Sequence, residues 1–201
     1  MTLSKCLVCS VLLAVSSAAS GDIVAVDYLA SGDGLITRDT STNLDWLDWT
    51  QGLNLSYNDM LVQLQAGGQY QGWRYATQAE LYTLLSNAGA PDVGGRSVGN
   101  VPAVTTMLGL LGANNYFGFL GAGNSSAAFL AGTTDPYGFG PFAVLAIETF
   151  DNPVTAKAGE IGAAQHSASG LGHALVRPVP APGALALLGA VGLVGARRRR
   201  G

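Results

Sequence analysis

Three stretches in the first half of the chain repeat apolar residues at helical spacing, each between its own start and stop signals. Ser56 precedes Tyr57, Met60, Leu61 and Leu64, which fall at i, i+3, i+4 and i+7, and Gly67-Gly68 closes the segment. Thr77-Gln78-Ala79-Glu80 reads as a capping box, followed by the stripe Leu81, Leu84, Leu85 and Ala88 and a stop at Gly89. Asn100 with Pro102 in the first turn opens a third helix, with Val104, Met107, Leu108 and Leu111 inward and Gly112 at its end. Extended segments are predicted at Ile23 to Leu29, Leu44 to Trp49, Tyr116 to Leu120, Ala127 to Leu130, Phe142 to Glu148 and His173 to Val176. Helices early and strands late, without regular alternation, predict an α+β domain and not a doubly wound sheet. Glycine is concentrated between Gly89 and Gly140, which predicts many turns there, and the absence of any recurring period argues against a solenoid.

Both ends of the chain carry a different kind of pattern. Lys5, the apolar run Val11-Leu12-Leu13-Ala14-Val15 and small residues as far as Ser20 predict a signal peptide over residues 1–20. Ala18 and Ser20 would sit at the −3 and −1 positions before the cut, so the mature chain is expected to start at Gly21. Cys6 and Cys9 both lie in this segment, and no apolar region precedes Cys9 as a lipoprotein signal requires. A mature chain without cysteine has no disulfide, no thiol nucleophile and no zinc-thiolate site. At the other end, Arg177-Pro178-Val179-Pro180-Ala181-Pro182 leads into the apolar stretch Gly183 to Ala196 and then Arg197, Arg198, Arg199 and Arg200. That stretch falls short of the roughly 20 residues of a comfortable membrane span, which suits a transient anchor. The arginines hold that end on the cytoplasmic side and leave everything N-terminal outside.

The order of proline-rich spacer, short apolar helix and arginine cluster from Val179 to Gly201 resembles the PEP-CTERM sorting domain, the substrate signal of exosortases in Gram-negative bacteria that make exopolysaccharide. Here Val179-Pro180-Ala181-Pro182 stands for the family's Val-Pro-Glu-Pro, with Ala181 at the glutamate position. The resemblance implies an exosortase as processing partner and transient anchoring in the inner membrane. The final place would be the outer membrane, the cell surface or the extracellular matrix, in association with exopolysaccharide or biofilm. An ordinary C-terminal membrane anchor is the simpler alternative.

Between the two signals, residues 21–178 make one domain. Arg38, Arg74, Arg96, Lys157 and Arg177 stand against all 13 acidic residues, a net charge of −8. An acidic, lysine-poor surface argues against nucleic acid or anionic polymers as partners. Neutral sugars or cations remain as ligands.

One constellation in the domain is specific. Gly34-Leu35-Ile36-Thr37-Arg38-Asp39 leads to Leu44-Asp45-Trp46-Leu47-Asp48, then to Gly72-Trp73-Arg74-Tyr75-Ala76-Thr77 before Glu80-Leu81, and the chain closes on Val176-Arg177. This pattern resembles the Lcl C-terminal domain family, which is similar to C-type-lectin-like folds. The resemblance spans about Asp33 to Arg177 and implies an extracellular domain facing glycan or matrix, with Phe117-Gly118-Phe119-Leu120 as a buried core strand. Read from the residues themselves, Trp46 and Trp73 each bury a large apolar surface and need a partner for the indole N–H. Arg74 would stack on an aromatic ring or pair with Asp45 or Asp48, Glu80 would serve the capping box at Thr77, and Gly72 would supply a positive-φ turn. Core and polar latch is the favoured role for this set; a ligand site is the alternative.

Other candidate chemistry is thin. The calcium-binding tripeptides of C-type lectins, Glu-Pro-Asn, Gln-Pro-Asp and Trp-Asn-Asp, do not occur, and Asp27, Asp33, Asp39, Asp45 and Asp48 lack EF-hand spacing. They read as solvated loop carboxylates, with a weak calcium site among Asp33, Asp39 and Asp45 as the alternative. Gly95-Arg96-Ser97-Val98-Gly99 fits a nucleophile elbow, with Asp135 or Asp151 and His166 or His173 following in hydrolase order. Loop chemistry before Ser97 argues against a serine hydrolase, and the two histidines read as loop residues. The expectation is a non-enzymatic protein without cofactor or metal, built on a single C-type-lectin-like α+β domain. An exposed shelf of Trp49 and Tyr137 would mark a glycan-binding module; a continuous apolar face would mark a structural matrix protein or adhesin binding protein neighbours.

Overall fold

The computed structural model describes residues 22–116, 124–132, 139–151, 153–165 and 170–179. The predicted signal peptide, the sorting segment from Pro180 onward, the core strand Phe117 to Leu120, and Tyr137, Asp135 and His166 lie outside the described residues.

The three predicted helices form where their signals stand. α1 spans Tyr57–Gln63, and Ser56 caps it in a reciprocal box with Asp59. Because α1 is short, it buries only Tyr57 and Met60 and leaves Leu61 exposed. α2, Gln78–Asn87, starts at the Thr77–Glu80 capping box and buries Leu81, Leu84 and Leu85. α3, Val101–Leu111, carries proline in its first turn and buries Val104, Met107, Leu108 and Leu111. Asn100 at its start makes no capping bond; its buried side chain instead ties Asp92, Gly95 and Ala156 together.

Among the described residues the strands form two five-stranded sheets, so the domain is α+β. The first sheet takes β1 (Ile23–Val26), β2 (Ile36–Asp39), β3 (Leu44–Leu47), β4 (Arg74–Tyr75) and β10 (Leu175–Pro178), in the order β1-β2-β3-β10-β4 with antiparallel pairs throughout. The second takes β5 (Arg96–Ser97), β6 (Ser125–Phe129), β7 (Phe139–Glu148), β8 (Thr155–Gln165) and β9 (Gly172–His173), in the order β5-β8-β7-β6-β9, with only β6 and β9 parallel. Strands thus stand at both ends of the domain, and the last one closes the first sheet beside β3. The sheets meet around Ala174, whose N–H donates to Phe129 O and whose carbonyl accepts from Ala76 N–H.

One core cluster runs beneath both sheets. It joins Trp46 and Val176 of the first to Leu145, Ala156 and Ala158 of the second, against Leu81, Leu84, Val104 and Met107 of the helices. Each fully buried leucine removes enough apolar area to contribute roughly 1.5–3 kcal/mol. The helices approach the second sheet closely because β8 is built from alanine and glycine. At Gly159 (φ +77°) an added Cβ would stand 2.7 Å from Leu85 Cδ1, so only glycine fits both the backbone and the space.

Candidate functional site

The residues of the specific constellation gather on the first sheet and the start of α2, but not with the pairings expected. Trp46 and Trp73 are buried at 1% and 5% exposure. Gly72 has φ +91°, the turn conformation its position predicts. Arg74 does not reach Asp45 or Asp48. Its guanidinium makes a two-pronged pair with Glu80 at 2.9 and 2.5 Å, and Glu80 also accepts from the Thr77 N–H and hydroxyl. Bonded first by Arg74, the Glu80 carboxyl is held down at about 2. Arg74 and Glu80 therefore lock the turn to α2 and leave the sheet face to other residues.

The partner of Asp45 is a pair of arginines on the neighbouring strands. Register places Arg38 of β2 and Arg177 of β10 directly opposite Asp45 of β3. Arg38 binds both carboxylate oxygens, at 2.7 and 3.1 Å, and Arg177 Nε donates to Oδ2 at 3.3 Å. The carboxylate is 1% exposed between two guanidiniums that stay about one-third open to water. Arg177 also lies over the Trp73 ring at 4.5 Å and beside Tyr28 at 5.6 Å, while Tyr28 meets Trp73 edge-on. The stacking expected of Arg74 falls to Arg177. This row of Arg38, Asp45 and Arg177, with Trp73 buried beneath Arg177, is the candidate functional face: two guanidiniums partly open to water over one buried carboxylate.

A second cluster sits where the two sheets meet, fully inside. Trp49 is 0% exposed in a 3-10 turn (Trp49–Gly52), pressed against the backbone of Gly172, so it forms no ligand shelf; the Tyr137 half of that shelf lies outside the described residues. His173 is a buried strand residue, not a loop residue. Its Nε2 stands 3.1 Å from Leu55 O, which can only accept, so Nε2 carries the proton and Nδ1 accepts from the Tyr75 hydroxyl at 2.7 Å. Burial lowers the His173 pKa to about 4 and raises that of Tyr75. Tyr57 stacks on Tyr75 at 4.4 Å and Phe129 packs edge-on to Tyr57, completing an aromatic plug with a neutral imidazole inside. The indole N–H groups of Trp46 and Trp49 have no partner in the described protein.

The acidic series is structural and only partly solvated. Asp33 accepts from the backbone N–H of Tyr28, Leu29, Ala30 and Leu35, which hold its carboxyl at about 2. Asp39 and Asp45 are buried strand residues, correcting their reading as loop carboxylates; Asp39 accepts from Asn87 and from Ser41 N–H. Asp48 caps the 3-10 turn through Thr50. Asp33, Asp39 and Asp45 thus serve separate parts of the fold, and no cluster of three metal-binding side chains occurs among the described residues.

Ser97 lies on β5, a two-residue strand paired with β8, and not in a loop. Its hydroxyl is buried without a hydrogen-bond partner. Neighbouring Arg96 binds Glu148 at 2.7 Å and lies 3.8 Å from Asp151, while His173 spends both ring nitrogens on Tyr75 and Leu55. Among the described residues no base stands beside Ser97, and such a serine keeps ordinary weak nucleophilicity. A fluorophosphonate probe is expected to leave the folded domain unlabelled. Stoichiometric labelling at Ser97, lost on replacing His166 or His173, would reveal a nucleophile.

All five basic residues of the domain are ion-paired: Arg38 and Arg177 with Asp45, Arg74 with Glu80, Arg96 with Glu148, and Lys157 with Glu148 and Glu160. Among the described residues no helix is long and apolar enough to cross a membrane. Fold and site together define a small α+β domain whose two sheets share a helix-covered core and whose first sheet carries an arginine–carboxylate row beside a buried tryptophan. No family model, curated protein or solved structure matches the chain.

Proposed function

We propose that the chain is a secreted, exosortase-sorted protein of the cell envelope or extracellular matrix whose C-type-lectin-like domain holds a neutral or weakly charged glycan without catalysis. The observation that carries the reading is the order of Val179-Pro180-Ala181-Pro182, the apolar Gly183 to Ala196 and Arg197 to Arg200, beginning one residue after β10 ends at Pro178. A segment that starts where the last strand stops can be cut away with the sheet left whole. The domain's net charge of −8 supports a neutral rather than an anionic ligand. Arg38 and Arg177, each about one-third exposed, are the open groups of this row and can donate hydrogen bonds to sugar hydroxyls, while Trp73 lies buried beneath Arg177.

A second reading, contact with protein neighbours, draws support from the turn between β7 and β8. There Phe150 is 79% exposed and Val154 39%. An exposed phenylalanine on a hairpin tip is the sort of anchor protein interfaces use.

The test is location. In producing cells with an intact exosortase the protein is expected outside the inner membrane. In cells without the enzyme it should stay in the inner membrane fraction. Equal distribution in both strains would remove the sorting reading.

A further inference from the structure

We propose that the pole of the domain formed by Asp22, the turn Thr40–Asn43 and Val179 is the side turned toward a lipid surface while the C-terminal apolar segment holds the chain. This inference rests on the anchoring reading above and adds to it an orientation. Four residues lie in one row across the first sheet: Ile23 opposite Asp39, Asp39 opposite Leu44, and Leu44 opposite Pro178. The row continues outward through Thr40 N–H to Asp22 O at 3.0 Å and Val179 N–H to Asn43 O at 2.9 Å. Residues 22 and 179 therefore leave the fold at the same end of the same sheet. With β2 and β3 between β1 and β10, they stand roughly 14 Å apart at about 4.8 Å per strand.

The distance to the membrane is bounded by chain length. Gly183, the start of the apolar stretch, lies four residue steps beyond Val179. Even fully extended they span only about 14 Å, at roughly 3.3–3.6 Å each. The strand they follow is held on both sides, by β3 and β4. Arg177, two residues before Val179, is fixed by Asp45 and the Trp73 ring. A domain on so short a tether, attached through a paired central strand, cannot turn its opposite pole to the surface without unpairing β10. That opposite pole is the loop 27–35, which Asp33 organises through four backbone N–H groups.

The chemistry of the proposed pole fits contact without adhesion. It presents hydroxyl and amide groups, from Thr40, Ser41 and Asn43, with one carboxylate, Asp22. No basic residue stands in this set to bind anionic headgroups. The tether alone holds the domain, so cutting the tether releases it.

The expected mature chain has no cysteine, which permits a site-specific test on the full chain. Cys6→Ser and Cys9→Ser remove the two natural thiols, and Ser41→Cys or Ser31→Cys adds one exposed thiol at the proposed pole or in the opposite loop. Each variant is labelled with a fluorophore and reconstituted in phosphatidylcholine–phosphatidylglycerol vesicles carrying a nitroxide-headgroup lipid. Both variants are expected to float with the vesicles, with quenching severalfold stronger at position 41 than at position 31. Flotation with equal or reversed quenching would overturn the orientation and leave the anchor standing. A chain that does not float would remove the anchor, and the orientation with it.

Discussion

Trp73→Ala is expected to destabilise the domain by about 3–5 kcal/mol, the range for a large aromatic deleted from a packed core. The ring is 5% exposed and sits between the Arg177 guanidinium at 4.5 Å and the Tyr28 edge at 5.7 Å. Its loss also frees Arg177, whose other partner is the buried Asp45 carboxylate. Against a total stability of about 5–15 kcal/mol for an ordinary domain, that change brings the fold near its limit. Arg74→Ala, one residue on, is expected to cost at most about 1 kcal/mol. Its ion pair is half-exposed, and the Thr77 cap of α2 survives without it. Urea unfolding of both variants checks the contrast. A Trp73→Ala midpoint equal to the parent's would show that the ring does not belong to the core.

The second large effect is on acid stability. The His173 pKa is near 4 in the fold because burial opposes its charge, against about 6.5 for the unfolded chain. Above pH 6.5 both states carry neutral imidazole and the term is constant. As the pH falls from 6.5 to 4, the unfolded chain takes up a proton that the fold refuses. Stability then drops by about 1.4 kcal/mol per unit, about 3 kcal/mol in all. Below pH 4 both states bind the proton and this loss stops growing. Glu80 and Asp33, both held near 2, begin to contribute their own losses only near pH 4 and below. Denaturation midpoints between pH 7 and 4.5 measure the slope, and His173→Gln should flatten it, since glutamine can still donate to Leu55 O and accept from Tyr75. An unchanged slope in that variant would place the titrating group elsewhere.

What could be read from the sequence was what is local. The caps at Ser56 and Thr77 and the stops at Gly89 and Gly112 act within a few residues of the helices they bound, and all three helices stand where those signals are. β8 escaped notice because Thr155–Gln165 is mostly alanine, glycine and polar residues, with little intrinsic strand preference. Its long partner β7 and the close approach of α2 select small residues there, which is a tertiary requirement. The Asp45 row was illegible for a related reason. It depends on β10 pairing with β3 across more than 130 residues, and a one-residue slip would turn Arg177 to the other face. The latch role of Arg74 is legible but its partner is not: the carboxylate it meets is Glu80 in the first turn of α2, not Asp45 or Asp48. Trp49 illustrates the limit of reading an aromatic as a shelf: it is fully buried, and its backbone packs against Gly172, far along the chain, where a Cβ would collide with it.

The C-terminal segment is proposed to be a removable sorting signal. Intact-mass measurement of protein recovered outside the inner membrane tests this directly. The expected species begins at Gly21 or a close neighbour and carries nothing from Gly183 onward. Full-length C-termini still bearing Arg197 to Arg200 in the outer membrane or medium would contradict it.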